Sequence, residues 1–186
     1  SIHLKTTNGG ETWTQLVQTG TNRTFDNLYG VYLKDATNGV AVGGASRGSV
    51  AVRTTDGGVT WAPIGFPCGA TLNRVAGNGD LLTVVGADGV IFRSTDFGTT
   101  WELKTPMPSA TLYALQFVSP TTAFGAGFDG TFIKTTDGGK NWKKVLEISE
   151  NTGVNNVLLD PRNPAHVIAM MATLSMETPA GPITMG

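Results

Sequence analysis

One nine-residue motif occurs four times in this chain, and its spacing limits what the chain can fold into. The copies read KTTNGGETW at 5–13, RTTDGGVTW at 53–61, RSTDFGTTW at 93–101 and KTTDGGKNW at 134–142. The tryptophans that end them are separated by 48, 40 and 41 residues. A regular period of this length indicates a series of similar structural units that stack on one another.

The similarity extends beyond the motif. Residues 75–101, VAGNGDLLTVVGADGVIFRSTDFGTTW, align with residues 117–142, FVSPTTAFGAGFDGTFIKTTDGGKNW. Each copy has the pattern of a strand, a polar turn, a strand that ends in glycine, a tight turn, a strand, the motif and a last strand. Because a propeller blade has four strands in roughly 40–45 residues, we predict an all-β β-propeller of four-stranded antiparallel blades, with the motif between strands three and four.

The predicted strands organise one domain, residues 1–177, before an irregular tail at 178–186. Its blade repeats lie near 1–18, 28–64, 71–104, 111–147 and 154–171. The first repeat has only a third and a fourth strand, and the last has only a first and a second. Either these two pairs combine to close a four-bladed ring, or the chain is a segment of a larger, six- to eight-bladed propeller. We favour the segment, because the chain starts abruptly at a strand and ends without a capping element.

Composition and charge exclude several classes of partner and site. The chain has 13 Lys plus Arg against 14 Asp plus Glu, so it offers no bulk attraction to nucleic acid or anionic lipid. No apolar run approaches the roughly 18 residues of a membrane span, and no signal peptide opens the chain. Cys68 has no second cysteine to pair with, and we interpret it as a small buried thiol. Because His3 and His166 lack neighbours at ligand spacing, we predict no metal site and no cofactor.

Each recurring residue of the motif has a structural role. The acid can accept hydrogen bonds from backbone N–H groups of the next turn, and the last glycine can take a positive φ. The tryptophan, on the outer strand, can fill space between blades, and we expect all four tryptophans to be buried. Asn8 replaces the acid in the first copy, which suits a turn but neither a general acid nor a metal ligand. The predicted structural residues are Asn8, Gly10, Trp13, Asp56, Gly58, Trp61, Asp96, Gly98, Trp101, Asp137, Gly139 and Trp142.

The pattern Ser/Thr-x-Asp-x-Gly-x-Thr-Trp resembles the Asp-box, or BNR, repeat of sialidases, sortilin-type receptors and related propellers. The blade sequences, including GVYLKDATNGVAVGGASRGSVAVRTTDGGVTW at 30–61, resemble the photosystem II stability/assembly factor family from Ile2 to Val145. They depart from it at Gly39-Val40 and Thr122-Ala123, where that family has Trp before Ala-Val-Gly. This resemblance implies an exported protein of the periplasm, thylakoid lumen or cell surface. The segment NVLLDPRNPAHVIA at 156–169 is similar to strand pairs of sortilin-type and xyloglucanase-type propellers.

Catalytic patterns are weak. A sialidase needs three arginines that converge on one carboxylate, and the predicted blades scatter the six arginines of this chain over both faces. Asp88 and Asp129, in the turns GADG and GFDG, are the one acid pair that could serve a glycosidase, although both suit tight Asp-Gly turns. Asp96-Phe97-Gly98 matches a kinase motif but belongs to the third Asp box. We therefore predict that the chain is not an enzyme.

Two surfaces are candidates for partner binding. Lys5, Arg53, Arg93 and Lys134 each precede the Ser/Thr of a box, so the fold places them at one face. Their stems could simply cover apolar surface, or the cations could together dock an acidic protein surface. The opposite, non-box face is the usual ligand side of propellers. Its predicted loop residues are Arg23, Asp26, Arg47, Phe66, Cys68, Met107, Asp129 and Glu150.

These observations leave three functions open. A non-catalytic protein-binding or assembly scaffold, with protein partners in an extracytoplasmic complex, agrees best with the resemblance and with the missing catalytic set. A glycan-binding or glycan-cleaving propeller predicts a cleft with exposed aromatic residues and a carboxylate pair. A structural repeat of a surface assembly predicts large contacts with neighbouring chains.

Overall fold

The computed structural model describes residues 3–16, 27–45, 48–104, 110–147, 152–160 and 163–173. These residues form sixteen strands. Every hydrogen-bonded pair of strands is antiparallel and consists of two strands that are consecutive in the sequence. Three complete four-stranded sheets form the centre of the chain, with a two-stranded sheet on either side of them in sequence. In the described ranges, no helix is long and apolar enough to cross a membrane.

The three complete sheets are the predicted blades. Blade 1 consists of β3 (Asn27–Leu33), β4 (Gly39–Ala45), β5 (Gly48–Thr54) and β6 (Ala62–Pro63). Blade 2 consists of β7 (Leu72–Asn78), β8 (Leu81–Gly86), β9 (Ile91–Ser94) and β10 (Glu102–Lys104). Blade 3 consists of β11 (Leu112–Phe117), β12 (Ala123–Gly127), β13 (Thr131–Thr135) and β14 (Lys143–Glu147). Each Asp box connects the third strand of its blade to the fourth, as predicted.

The remaining strands form two hairpins. The N-terminal hairpin pairs β1 (His3–Lys5) with β2 (Thr14–Leu16) around the first box, and therefore has the third and fourth strands of a blade. The C-terminal hairpin pairs β15 (Thr152–Asp160) with β16 (Asn163–Thr173), and has the first and second strands. The two hairpins belong to separate sheets. The described strands therefore form a series of blades in which the terminal pairs do not combine into one blade.

A β-bulge gives every first strand the same register, so that positions can be compared between blades. The bulge lies between Leu28 and Gly30 in β3, and β7, β11 and β15 have it at the equivalent point. Two positions after the extra residue of the bulge, the four first strands have Val31, Val75, Leu115 and Val157. A bulge re-aims the strand and is a repeated feature of this fold rather than a defect.

The core lies between the blades. One apolar cluster joins Val40 and Val42 of blade 1 to Leu72 and Val75 of blade 2. A second cluster joins blades 2 and 3, and a third joins blade 3 to the C-terminal hairpin through Val154 and Val157. Each blade is thus stabilised by the neighbour that it covers, as expected of repeat architectures.

The turns between second and third strands are tight. Asp88-Gly89 and Asp129-Gly130 all have positive φ, which is the geometry of a type I′ hairpin turn and confirms their assignment to tight Asp-Gly turns. In blade 1 the ladder continues to Ala45 and Gly48, so only two residues connect the strands.

Candidate functional site: the Asp-box face

A hydroxyl group is at the centre of each Asp box, and it is buried in the boxes of the three complete blades. Thr54, Ser94 and Thr135 are each at most 2% exposed. In the second box, the Thr54 hydroxyl donates to Asp56 Oδ1 at 2.8 Å and accepts the backbone N–H of Gly58 at 2.8 Å. Ser94 and Thr135 make the same two bonds in their boxes. Sequence reasoning did not assign this role, although the hydroxyl residue recurs in all four copies.

The box carboxylates serve as turn acceptors, as predicted. The oxygens of Asp56, Asp96 and Asp137 each accept the backbone N–H four residues later at 2.9 Å. In the first box, Asn8 accepts the N–H of Thr12 at 3.0 Å, so the amide replaces the acid in the same geometry. The recurring acid therefore holds a turn, and its conservative replacement within this chain shows that the turn needs no charge.

Two residues of each box turn have a left-handed backbone conformation: the recurring glycine and the residue just before it. The predicted glycines Gly10, Gly58, Gly98 and Gly139 all have positive φ, between 79° and 97°. The preceding residue is glycine in three boxes, but in the third it is Phe97, which has a φ of 54°. Phe97 is buried in the cluster between blades 1 and 2, so packing compensates for a backbone conformation that side chains disfavour.

Hydrogen bonding lowers the pKa of all three box carboxylates to about 2, from a usual 3.8. The main donors to Asp56 and Asp96 are the hydroxyls of Thr60 and Thr100. At Asp137 desolvation favours the neutral acid, but hydrogen bonds from the backbone and side chain of Asn141 outweigh it, and the pKa still falls. The carboxylates are therefore ionised at neutral pH and are poor general acids.

These lowered pKa values predict a loss of stability in acid. Because each folded pKa of about 2 lies below the ordinary 3.8, the carboxylates stabilise the fold above pH 3.8, and this contribution is lost as pH falls towards 2. We expect the triple variant D56N/D96N/D137N to show a shallower decline in the free energy of unfolding over this range. Urea unfolding followed by circular dichroism at several pH values measures it. A residual decline should remain, because hydrogen bonds from Thr37 and Asn38 also hold the pKa of Asp35 well below its usual range. An unchanged slope in the triple variant would contradict this assignment.

The box tryptophans differ in how deeply their side chains are buried between blades. Each lies just before the fourth strand, in the turn, rather than on the strand as predicted. Trp142 is 8% exposed and packs against both blade 2 and blade 3, and Trp101 packs against the cluster between blades 1 and 2. Trp13 is 59% exposed, so the prediction that all four are buried is wrong. The physical reason is that no described blade precedes the N-terminal hairpin and covers Trp13.

The four cations before the boxes contact specific neighbours. Lys5 Nζ donates to the Gly57 carbonyl at 2.9 Å, and Arg93 Nε donates to the Gly138 carbonyl at 2.7 Å. Arg53 Nη1 donates to Thr99 Oγ1 at 3.3 Å. In each case the acceptor lies in the box of the following blade.

Lys134 behaves differently, since its ammonium lies 5.4 Å from the centroid of the Phe124 ring in the same blade. No described box follows blade 3, so an equivalent acceptor is not present in the described residues. Three of the four cations thus join consecutive blades, a role that neither sequence interpretation included. The sequence could not reveal it, because the acceptors are backbone or hydroxyl groups 45 to 52 residues away.

Arg53 makes the longest of the three hydrogen bonds between blades, at 3.3 Å. It lines a shallow groove of about 200 Å³ between blades 1 and 2. The other lining residues are Ala62, Pro63, Ile64, Gly65, Gly98 and Thr99. The groove thus presents one guanidinium, which can bind a carboxylate, beside an apolar and glycine-rich wall.

The opposite face is described only in part. Arg23, Asp26, Arg47, Met107 and Glu150 lie outside the described residues. Cys68 is half-buried, and the Ser49 hydroxyl lies 3.2 Å from its sulfur. Phe66 packs on Phe92 and Trp101 between blades 1 and 2, with ring centroids 4.8 and 4.9 Å away, so it is part of the core more than of this surface. Asp88 and Asp129 are exposed in their turns, and Tyr113 and Phe128 are each 38% exposed at the same end of blade 3.

These features define the class of protein. The described strands form β-propeller blades that carry Asp-box motifs. A family model described as the BNR/Asp-box repeat matches residues 92–103, which contain the third box. No curated protein matches the chain in sequence. Among the described residues, no group of three or more His, Cys, Asp or Glu side chains could hold a metal ion.

Solved structures share the fold of the chain. YCF48 bound to D1 peptide is 22% identical with a TM-score of 0.62, over 72% of this chain and 45% of that one. YCF48 from Cyanidioschyzon merolae is 27% identical with a TM-score of 0.56, over 66% and 38%. An ancestral GH74 enzyme is 18% identical with a TM-score of 0.70, over 92% and 25%. The chain thus spans less than half the length of each of these three structures.

Proposed function

We propose that this chain is part of a non-catalytic scaffold that binds protein partners. The observation that carries the proposal is that every box carboxylate already accepts hydrogen bonds from its own turn, so the acids that recur most regularly are unavailable for chemistry. The resemblance to the photosystem II stability/assembly factor family supports the same role. YCF48 bound to a D1 peptide shows that a protein of this fold can hold a peptide.

The resemblance also suggests where the protein acts. We place it outside the cytoplasm, in the periplasm, the thylakoid lumen or at the cell surface. Fractionation of the source cells, with an antibody against the chain, tests this placement. Recovery only in the cytoplasmic fraction would contradict it.

Affinity isolation of the native protein tests the scaffold proposal. The protein, used as bait under native conditions, should retain specific protein partners that can be identified by mass spectrometry. Cross-linking before lysis should place those partners on defined residues of the chain. Recovery of oligosaccharide without protein would contradict the proposal and favour the glycan alternative.

For the partner-binding surface, we propose the groove beside Arg53, with an acidic segment of the partner as its ligand. Reversal of this charge, Arg53→Glu, is expected to weaken binding of the isolated partner about tenfold, or about 1.4 kcal/mol, and to reduce its salt dependence. Arg53 is the better residue to test than Arg93, because the guanidinium of Arg93 is engaged at 2.7 Å with the next blade.

The matched control is Lys143→Glu, a charge reversal at an exposed position of β14. Calorimetric titration of both variants, at low and at moderate salt, provides the measurement. Equal affinities for Arg53→Glu and the wild-type protein would exclude this groove while leaving a scaffold role on another face possible.

A glycan-active propeller is the second candidate, because two carboxylates and several aromatic side chains are exposed at the non-box end. Among the described residues, Asp88 and Asp129 make no ion pair or side-chain hydrogen bond, and Tyr29, Tyr113 and Phe128 are 38–49% exposed. Incubation with a panel of soluble polysaccharides should release no reducing sugar if the scaffold proposal is correct. Release that disappears in D88N/D129N would establish the alternative.

A further inference from the structure

The chain contains three Asn-Gly dipeptides, at residues 8–9, 38–39 and 78–79. In this dipeptide an asparagine side chain reacts most readily with its own main chain, because the glycine has no Cβ atom to hinder the approach. Asparagine is accordingly one of the thermolabile residues of proteins. The structure places the three dipeptides in different surroundings, so that the reactivity of one chemical group can be compared between them.

Asn78-Gly79 is the least constrained of the three dipeptides. Asn78 is exposed at the end of β7 and pairs with Leu81, so that only two residues connect β7 to β8. Gly79 has a φ of 61°, and a Cβ atom added to it would meet nothing within 4 Å. Among the described residues, neither the Asn78 side chain nor the Gly79 N–H has a hydrogen-bond partner. The two groups that would react are therefore free to approach each other in an exposed hairpin loop.

The other two asparagines are held in place. Asn38 Nδ2 donates to both carboxylate oxygens of Asp35, at 3.0 and 2.9 Å, and Gly39 is buried within β4. The amide of Asn8 is held within the first box, because its Nδ2 donates to Thr12 Oγ1 and its Oδ1 accepts the Thr12 N–H. A reaction at either residue first requires these bonds to break, and at Asn38 it also requires local opening of a blade.

We propose that Asn78 is a site of spontaneous deamidation and isoaspartate formation. The Gly79 nitrogen bonds to Cγ of Asn78, the bond from Cγ to Nδ2 breaks, and Nδ2 leaves as ammonia with the proton of the Gly79 N–H. Water then opens the resulting succinimide ring. Attack on Cγ gives aspartate with a normal main chain, whereas attack on the backbone carbonyl carbon gives isoaspartate, in which the chain continues through Cβ and Cγ. No oxidation state changes, and the modification does not depend on the scaffold role proposed above.

Isoaspartate at this position disturbs a contact between blades 1 and 2. Asp80, in the same hairpin loop, forms a salt bridge with Lys34 of blade 1, and its carbonyl accepts the N–H of Phe97 at 3.0 Å. The Lys34 ammonium also lies 5.3 Å from the centroid of the Phe97 ring. Because isoaspartate lengthens the main chain by an extra atom and the geometry of a hairpin depends on loop length, Asp80 is displaced from both partners. The aspartate product leaves the main chain unchanged and keeps these contacts.

Peptide mapping by mass spectrometry of the 186-residue chain, incubated at neutral pH, tests the site. Conversion at Asn78 is expected to be at least about tenfold faster than at Asn38, a barrier lower by about 1.4 kcal/mol, and faster than at Asn8. In urea the three sites should convert at similar rates, because the folded surroundings are then lost. Asn78→Gln keeps the amide but disfavours the five-membered ring, and should abolish conversion at this position. No conversion at Asn78, equal rates at the three sites of the folded chain, or the same order of rates in urea would overturn the proposal.

Hydrogen exchange of single backbone amides, followed by NMR, tests the structural consequence. In the isoaspartate form, separated by chromatography, the Phe97 N–H should exchange about tenfold faster than in the unmodified protein, because its acceptor has moved. The Gly57 N–H is the matched control, since it donates to the Thr37 carbonyl at 2.7 Å in the equivalent position of blade 1, and its exchange should not change. Asn78→Asp, which adds the charge without the extra main-chain atom, should leave both amides unchanged. Unchanged exchange at Phe97 in the isoaspartate form would overturn the assigned consequence, as would an equal increase at both amides.

Discussion

Replacing Trp142 with alanine is expected to destabilise the protein by about 3–5 kcal/mol, the usual cost of removing a buried tryptophan from a core. The indole is 8% exposed and is packed in the cluster that joins blades 2 and 3, with Val85 and Ile91 on one side and Leu115 and Ile133 on the other. The deletion would leave a cavity between two rigid sheets that cannot collapse towards each other.

Trp13→Ala is the matched control, because it is the same residue of the same motif at 59% exposure. We expect it to change the free energy of unfolding by less than about 0.5 kcal/mol, as is usual for surface substitutions. Urea unfolding followed by circular dichroism compares the two, with the slope of each transition examined for loss of cooperativity between blades. If the two substitutions lowered the free energy of unfolding by similar amounts, burial between blades would not be the source of the tryptophan's contribution to stability.

The second large effect is expected at the glycine that ends the second strand of blades 2 and 3. A Cβ atom on Gly127 would lie 2.1 Å from the Thr111 carbonyl oxygen, and one on Gly86 would lie 2.2 Å from the Thr71 oxygen. Both oxygens belong to the segment just before the bulge of the first strand, and both also accept a backbone N–H from the adjacent turn. The backbone therefore cannot move away without loss of a hydrogen bond.

We expect Gly127→Ala and Gly86→Ala each to cost about 3 kcal/mol or more, at the upper end for overpacking because the clash is with backbone. Gly65→Ala is the control, since a Cβ there meets nothing within 4 Å and its φ is not positive. The measured quantity is again the free energy of unfolding, supported by the yield of folded protein. A tolerated Gly127→Ala would mean that the first strand is not held this close to the second.

The fold was predictable because its signals are local and repeated. The strands, their order in each blade and the position of the box follow from a pattern that occurs four times, and an error in one copy is corrected by the others. The roles of Asp137 and Gly139 could be deduced because hydrogen bonds within a turn involve residues close in sequence. The buried hydroxyl of Thr135 belongs to the same class and was missed, although its recurrence in every box was visible.

The candidate site was less predictable, because its contacts join different blades. Arg93 was expected to cover apolar surface or to face a partner, but it donates to the Gly138 carbonyl of the next blade. A backbone carbonyl has no sequence signature, so no pattern could have indicated this acceptor. The docking of an acidic partner by these cations stays a prediction, now centred on Arg53.

The sequence by itself determined the repeating unit: four antiparallel strands, and a box held by hydrogen bonds within nine residues. Only the tertiary structure decided which copies of each repeated residue are covered. Trp13 and Trp142 occupy the same position of two boxes, yet Trp13 is exposed and Trp142 is buried. Val31 and Val75 occupy the same position of two first strands, yet Val31 is exposed and Val75 is buried. The reason is physical: burial in a stacked fold depends on the neighbouring blade, and a residue's own sequence context does not contain its neighbour.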